Sequence, residues 1–207
     1  MMDASEVFVT AVVIVLSYVL GSVPTGLWMG KAWRGIDIRE HGSQNIGATN
    51  TLRVLGKKFG ALALAGDVMK GMIAVLALGA VSAWPYAPLA CGAASIAGHT
   101  WSVFLRLHGG KGVATSAGVL LALIPVSTAA GLAVFAFAAY LSRMVSAGSI
   151  TAAAVIGALV LILERDPLTH LEHDPIIRGA VLLMVVVVII RHHANIQRIM
   201  RGEEHKF

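Results

Sequence analysis

The sequence predicts an all-α integral membrane protein: a bundle of seven transmembrane helices, with the N-terminus outside and the C-terminus cytoplasmic. Three observations predict it. Of the 207 residues, 57% are hydrophobic and only 13% are charged, whereas soluble domains carry about 25% charged residues. The charges are bunched, and the apolar stretches between bunches approach the roughly 20 residues that cross a bilayer. Nearly all Lys and Arg residues can also be placed on one side of that bilayer, as the positive-inside bias requires.

The first predicted span covers residues 7–30 and is interrupted by Gly21, Ser22 and Pro24. The opening MMDASEVFV has no basic n-region and no clear cleavage site, so it reads as an uncleaved span rather than a removed signal peptide. The second span covers residues 59–83 and the third 88–105. Residues 112–142 offer a choice. As one helix, these 31 residues would run roughly 46 Å, against a hydrocarbon core of about 30 Å. Split at Pro125, they make two helices of about 20 and 27 Å, short unless protein covers their ends. Charge decides between the two. With a hairpin, 14 of the 16 Lys and Arg residues fall inside and only Arg165 and Arg178 outside; with a single helix the division is 11 to 5. The hairpin supplies the fourth and fifth spans, and residues 145–163 and 175–190 the sixth and seventh. The loop bearing Glu164, Asp166, Glu172 and Asp174 is then external. No long linker, low-complexity tract or convincing repeat interrupts the chain, so residues 1–207 read as a single domain.

A net charge of +5 and a pI near 9.7 would suit nucleic acid. The distribution argues against it, because the basic residues flank apolar spans, where they set topology and attract anionic lipid. Membrane lipid is therefore an expected partner and nucleic acid is not. The lone Cys91 cannot form an internal disulfide and reads as a small hydrophobe in an apolar stretch.

Three polar clusters fall on the predicted cytoplasmic face, which was assigned from Lys and Arg alone. The first is DIREHGSQNIGATNTLRVLGKKFG, residues 37–60. It is either a solvated connector with topogenic cations or a segment whose amides and hydroxyls face a ligand. The second is GHTWSVFLRLHGGKGVATSAG, residues 98–118. His99 and Ser102 lie near the inner end of the third span, a Gly109-Gly110-Lys111-Gly112 turn follows, and then a helix start bearing Thr115. Glycines admit an anion close to backbone amides, a helix N-terminus adds unpaired N–H groups and partial positive charge, and Lys111 adds a full charge. This is phosphate-binding chemistry without a Walker A loop, since Gly112 follows the lysine; the alternative is a flexible turn with one topogenic cation. The third is RHHANIQRIMR, residues 191–201. His192, Asn195 and Arg198 recur at intervals of three and so share one helical face, either as headgroup anchors or as functional groups. Asp67 and Lys70, an i,i+3 pair inside the second span, are a functional candidate or a self-neutralising helix-entry pair. Ser146, near the start of the sixth span, is a further polar candidate or a packing serine. Convergence of the three clusters points to one site for a polyanionic, water-soluble substrate, with Arg53 and Lys111 accommodating two phosphate groups.

Several chemistries have no home here. There is no G-x-S-x-G elbow, no H-E-x-x-H and no paired C-x-x-C. None of the eight His residues has Asp five positions on, so the H-x-x-x-x-D box of soluble-loop lipid acyltransferases is absent. An enzyme of this kind needs no covalent intermediate, and its substrate should arrive already activated.

GSVPTG, GSQNIGATNTLR, GDVMKG, GHTWSVFLRLHGGKGVATSAG and RHHANIQR, in this order and spacing, resemble the PlsY family of bacterial glycerol-3-phosphate acyltransferases over nearly the whole chain. The resemblance implies transfer of a fatty acyl group from acyl phosphate to the 1-hydroxyl of glycerol 3-phosphate, with lysophosphatidic acid and phosphate as products. It implies no cofactor and no metal, a multi-pass protein of the bacterial inner membrane with its site facing the cytoplasm, and a monomer. Carried onto this sequence, it makes Ser43, Arg53, His99, Lys111, His192 and Asn195 catalytic. Asn45, Thr49, Asn50, Ser102, Gly109, Gly110, Gly112, Thr115, Ser146 and Arg198 become substrate-binding. Which cluster takes which phosphate, and whether His99, His192 or the substrate's own phosphate accepts the hydroxyl proton, stays open at this level.

Overall fold

The computed structural model describes residues 2–163 and 175–206. The acidic loop expected to be external lies outside the described residues. Among those described there is no strand, and ten α-helices follow one another: α1 (Ala4–Ser22), α2 (Thr25–Arg34), α3 (Ala48–Leu55), α4 (Lys57–Ile73), α5 (Ala87–Thr100), α6 (Val113–Leu123), α7 (Pro125–Ser142), α8 (Val145–Ile162), α9 (Pro175–Arg191) and α10 (His193–Met200).

Local chemistry sets most of the boundaries. Asp3 caps α1 by accepting from the Glu6 N–H, while the Glu6 carboxylate returns to the Asp3 N–H, satisfying two otherwise orphaned donors. Pro24 lacks an N–H and pushes the residue before it out of the helical region, so Val23 is extended and the predicted first span is two helices rather than one. Gly35 ends α2 in the left-handed region at φ 64°, a common helix stop. Pro125 opens α7 directly after α6, at the split expected from the sequence. α4 runs on through a wider turn (Ala74–Leu78) and a tighter one (Gly79–Val81), making a predominantly apolar stretch of 25 residues in all.

Among the described residues four helical stretches are long and apolar enough to cross a membrane: Ala4–Ser22, Lys57–Val81, Pro125–Ser142 and Val145–Ile162. A fifth is added if α9 and α10, bent by 52°, count as one. By this measure the predicted seven is not reached. α2, α5 and α6 have only 10, 14 and 11 residues, about 15–21 Å at 1.5 Å per residue. The third predicted span, 88–105, stops at Thr100 and gives way to an irregular segment with a short helical turn at Val103–Leu105.

The chain divides into two compact units, Met1–Ala122 and Leu123–Phe207. In the first, α1 lies along α5 and α3 along α4. The α1–α5 approach is close enough that a Cβ on Gly98 would strike the Tyr18 carbonyl, the small-residue packing that holds helices together in lipid. Cys91 is fully buried there beside Val13 and Ala74. In the second unit, α8 packs against both α7 and α9. Large apolar side chains stand exposed along the helices, among them Phe8, Val15, Leu64, Phe137, Ile162 and Leu183, far more than a water-facing surface carries.

Candidate active site

Residues 37–60 are neither a loose connector nor a plain loop. Ile38 and Ile46 insert with Leu27 and Leu55 into a small core of their own, and the second half of the segment is α3. Asp37 caps a short turn (Ile38–Glu40), accepts two side-chain bonds from Arg39 at 2.9 and 2.6 Å, and pairs with Lys31 at 3.3 Å. The Arg39 bonds outweigh partial burial and hold its carboxyl well below the usual range. Asn50, expected to touch substrate, is 1% exposed and spends its amide on the backbone: Nδ2 donates to the Ile38 and His41 carbonyls, and Oδ1 accepts from the Ser43 N–H at 2.8 Å. Asn45 Oδ1 accepts from Gly47 N–H at 2.9 Å, ahead of α3. Ser43, Asn45 and Thr49 are half-buried, and Arg53 is exposed on the last turn of α3.

Residues 98–118 fold as a strap under the end of α5. Ser102 Oγ donates to the Ser22 carbonyl at 2.6 Å, tying the strap to the end of α1, and is itself fully buried. Arg106 and Leu107 both take positive φ (51° and 66°), reversing the chain. Gly109 N–H then bonds the Thr100 carbonyl at 3.1 Å and Gly110 N–H the His99 carbonyl at 2.9 Å. A Cβ on Gly110 would fall on the His99 ring, and Gly112 has φ 78°; only glycine satisfies both positions. Lys111 is half-buried between them. At the head of α6 the hydroxyls of Thr100, Thr115 and Ser116 are buried without a hydrogen-bond partner among the described residues. Those of Thr100 and Ser116 lie 3.2 and 4.0 Å from where a Cβ on Gly112 would stand. Buried hydroxyls are normally satisfied, so this turn has unused donors and acceptors beside a cation and a helix N-terminus.

His99 is 4% exposed, and its Nδ1 stands 3.8 Å from Asp67 Oδ1. That carboxylate pairs with Lys70 at 2.9 Å and accepts from Thr25 at 3.2 Å.

In the second unit the expected His192–Asn195–Arg198 line is broken by a bend. His192 Nδ1 lies 2.7 Å from the Val188 carbonyl, while its backbone N–H bonds Ile189 instead. The side chain has taken the carbonyl the helix would have used, and α9 ends there. A carbonyl only accepts, so Nδ1 carries the proton and, in the neutral ring, Nε2 the lone pair. His192 is buried whereas His193 is exposed.

Asn195 and Arg198 converge on a group that sequence reasoning missed. Glu204 Oε1 accepts from Asn195 Nδ2 at 2.6 Å and from Ser146 Oγ at 2.8 Å, and Oε2 from Arg198 Nε at 2.8 Å. Burial opposes its ionisation, but these three bonds prevail and keep the carboxyl below its ordinary value. Gly202, at φ 73°, turns the chain back from α10 to bring it there. The adjacent Glu203 is exposed, and the pair of glutamates held no signal for choosing between them. Among the described residues no three His, Cys, Asp or Glu side chains gather as metal ligands.

The profile of the family described as "Glycerol-3-phosphate acyltransferase" matches residues 11–202. A protein of that name from Trichlorobacter lovleyi is 45% identical over 197 residues, covering 92% of this chain and 94% of that one. Another from Geobacter sulfurreducens is 41% identical over 206 residues, covering 98% of both. The crystal structure of PlsY, an integral membrane glycerol 3-phosphate acyltransferase, in its glycerol 3-phosphate form superposes with a TM-score of 0.84 at 33% identity, covering 96% of this chain and 95% of that one. Its lysophosphatidic acid form gives a TM-score of 0.81 at 32% identity with the same coverage. With motif order, all-helical fold and a match spanning both compact units in agreement, the chain belongs to the glycerol-3-phosphate acyltransferase family of integral membrane proteins.

Proposed function

We propose that the protein transfers a fatty acyl group from acyl phosphate to the 1-hydroxyl of sn-glycerol 3-phosphate, releasing lysophosphatidic acid and inorganic phosphate. The observation that carries this reading is the Gly109–Gly112 turn. It is closed by two backbone bonds, crowded onto His99, and followed at a helix N-terminus by buried hydroxyls with no partner among the described residues. Backbone amides, hydroxyls and the Lys111 ammonium suit a phosphate dianion, and a phosphate leaving group is what an acyl phosphate provides. The sequence carries no G-x-S-x-G elbow, which fits a donor that is already a mixed anhydride.

Catalysis is then orientation plus charge. The glycerol hydroxyl oxygen forms a bond to the acyl carbon, its proton leaves, and the bond from that carbon to the phosphate oxygen breaks with its electron pair going to phosphate. Alignment of the two substrates contributes about 7–11 kcal/mol. Lys111 and the turn stabilise the departing phosphate, and Ser43 and Arg53 hold the phosphate of glycerol 3-phosphate with Asn45 and Thr49 beside them. Asn50 acts by bracing Ser43, and Ser102 by anchoring the strap. His99, His192 or a phosphate oxygen of the substrate takes the hydroxyl proton, a role worth about 10²–10⁴ in rate. Asn195, Arg198 and Ser146 fix Glu204 and through it the end of the chain.

The chain is proposed to cross the bacterial inner membrane seven times, with α2, α5 and α6 contributing to short or broken spans, its N-terminus outside and its site facing the cytoplasm. The division of Lys and Arg supports this orientation, and the bacterial origin of the relatives supports the location.

Phosphate release tests the reaction. Purified protein given acyl phosphate should release one phosphate per lysophosphatidic acid, and only when glycerol 3-phosphate is present. Release without the acceptor would make the protein a hydrolase and contradict the reading.

A further inference from the structure

The mechanism above gives Asp67 and Lys70 no task, yet they are the most deeply placed charges among the described residues. Both lie in α4, within a stretch apolar enough to cross a bilayer, and are 2% and 4% exposed. Holding ionisable groups there is costly, and a pair that only neutralises itself is replaceable by uncharged residues.

This pair reaches three other elements. Lys70 Nζ donates at 3.0 Å to the Val23 carbonyl, at the break that Pro24 opens between α1 and α2. Thr25 Oγ1, on the first residue of α2, donates to Asp67 Oδ1. His99 Nδ1, on α5, stands 3.8 Å from that same oxygen, beyond hydrogen-bond length but in direct packing contact. His99 in turn holds the glycine turn. Its carbonyl accepts the Gly110 N–H, and its ring fills the space a Cβ on Gly110 would need. An unbroken series of contacts therefore runs from the intramembrane charges to the backbone beside Lys111, all within the first compact unit.

We propose that Asp67 and Lys70 are positioning residues for the Gly109–Gly112 turn, acting through His99 and the α1–α2 break. Neither touches substrate. The inference rests on reading that turn as the phosphate cradle, so its test includes a measurement that needs no substrate.

Asp67→Asn and Lys70→Met each strand one buried charge and should lower Tm sharply. The uncharged double variant Asp67→Asn/Lys70→Met removes both charges and should recover most of that loss, because no unpaired charge remains. Turnover should nevertheless stay down by roughly tenfold or more, since small displacements of positioning groups cost up to about 10² in rate. Hydrogen exchange in detergent supplies the second measurement. The Gly109 and Gly110 amides should exchange faster in the double variant, while those of α7 and α8 keep their wild-type rates. Thr25→Val keeps both charges, removes one donor to Asp67 and should show the same pattern more weakly; if the double variant does not regain Tm, this variant decides. Wild-type exchange at Gly109 and Gly110 overturns the proposal, whether or not turnover falls, because the effect then does not pass through the turn. Wild-type turnover in a refolded double variant overturns it too. If the wild-type protein made no lysophosphatidic acid, the functional reading would fail while exchange still decided the positioning.

Discussion

Lys111 and Glu204 are both charged residues flanked by polar partners, and they do opposite things. Lys111 sits in a turn whose backbone is held by the Gly109–Thr100 and Gly110–His99 bonds. Lys111→Ala should lower turnover by about 10²–10³, the cost of removing one donor from a site of charge stabilisation, with Tm unchanged in a detergent melt. Glu204 holds three donors from two helices and the chain end. Glu204→Gln should cost about 1.5–3 kcal/mol of stability, the range for hydrogen bonds to a charged group. The pH dependence has a definite sign. The folded carboxyl titrates below its unfolded value, so its contribution is present above the unfolded pKa and is lost as pH falls through the folded one. Between pH 6 and pH 3.5 the wild-type Tm should therefore fall more steeply than that of Glu204→Gln. Lys111 stood out in the sequence as a candidate because three glycines surround it, a run that lets the backbone turn tightly. Glu204 did not, because its partners are 6, 9 and 58 residues away and nothing local separates it from Glu203.

At the scale of elements, prolines and glycines were read correctly where they break helices, as at Pro24 and Pro125. Two features had no such marker. α3 forms within a Gly-, Ser- and Asn-rich stretch because Ile46 and Leu55 find a core with Leu27 and Ile38, and tertiary packing of that kind overrides local propensity. The bend at His192 comes from its own side chain competing for the Val188 carbonyl, an event with no sequence signature. Asn50 is the brace of residues 37–60, bonding three backbone groups. Asn50→Ala leaves those groups unpaired and should loosen the segment. Trypsin should then cut after Arg39 and Arg53 several-fold faster than in wild type, and turnover should fall because Ser43 and Arg53 are displaced; unchanged cleavage would argue that Asn50 is free to face substrate. Gly98→Leu tests the α1–α5 contact in the same way, with a large fall in Tm expected from a side chain driven into the Tyr18 carbonyl.

For the whole molecule, composition was sufficient to name a membrane bundle, because apolar stretches this long admit few other fates. Counting its spans was harder. Short helices such as α5 and α6 satisfy neither the length rule for a crossing helix nor the polarity expected of a loop, and an apolar-window reading merges or splits them by charge alone. Orientation gives the direct check. With buried Cys91 changed to Ala, single cysteines at Ser5 and at Gly202 should label from opposite sides in intact cells, the first from outside and the second only after the membrane is opened. Labelling of both from one side would reverse the span parity.

The donor is the central claim, since the proposed role of the Gly109–Gly112 turn as a phosphate cradle and that of Lys111 both depend on it. The decisive measurement is product formation by purified protein in detergent or a lipid mesophase, given labelled glycerol 3-phosphate with palmitoyl phosphate, palmitoyl-CoA or no donor. Lysophosphatidic acid formed with palmitoyl phosphate alone is the predicted result. Product formed with palmitoyl-CoA, or no product with palmitoyl phosphate from folded protein, would contradict it.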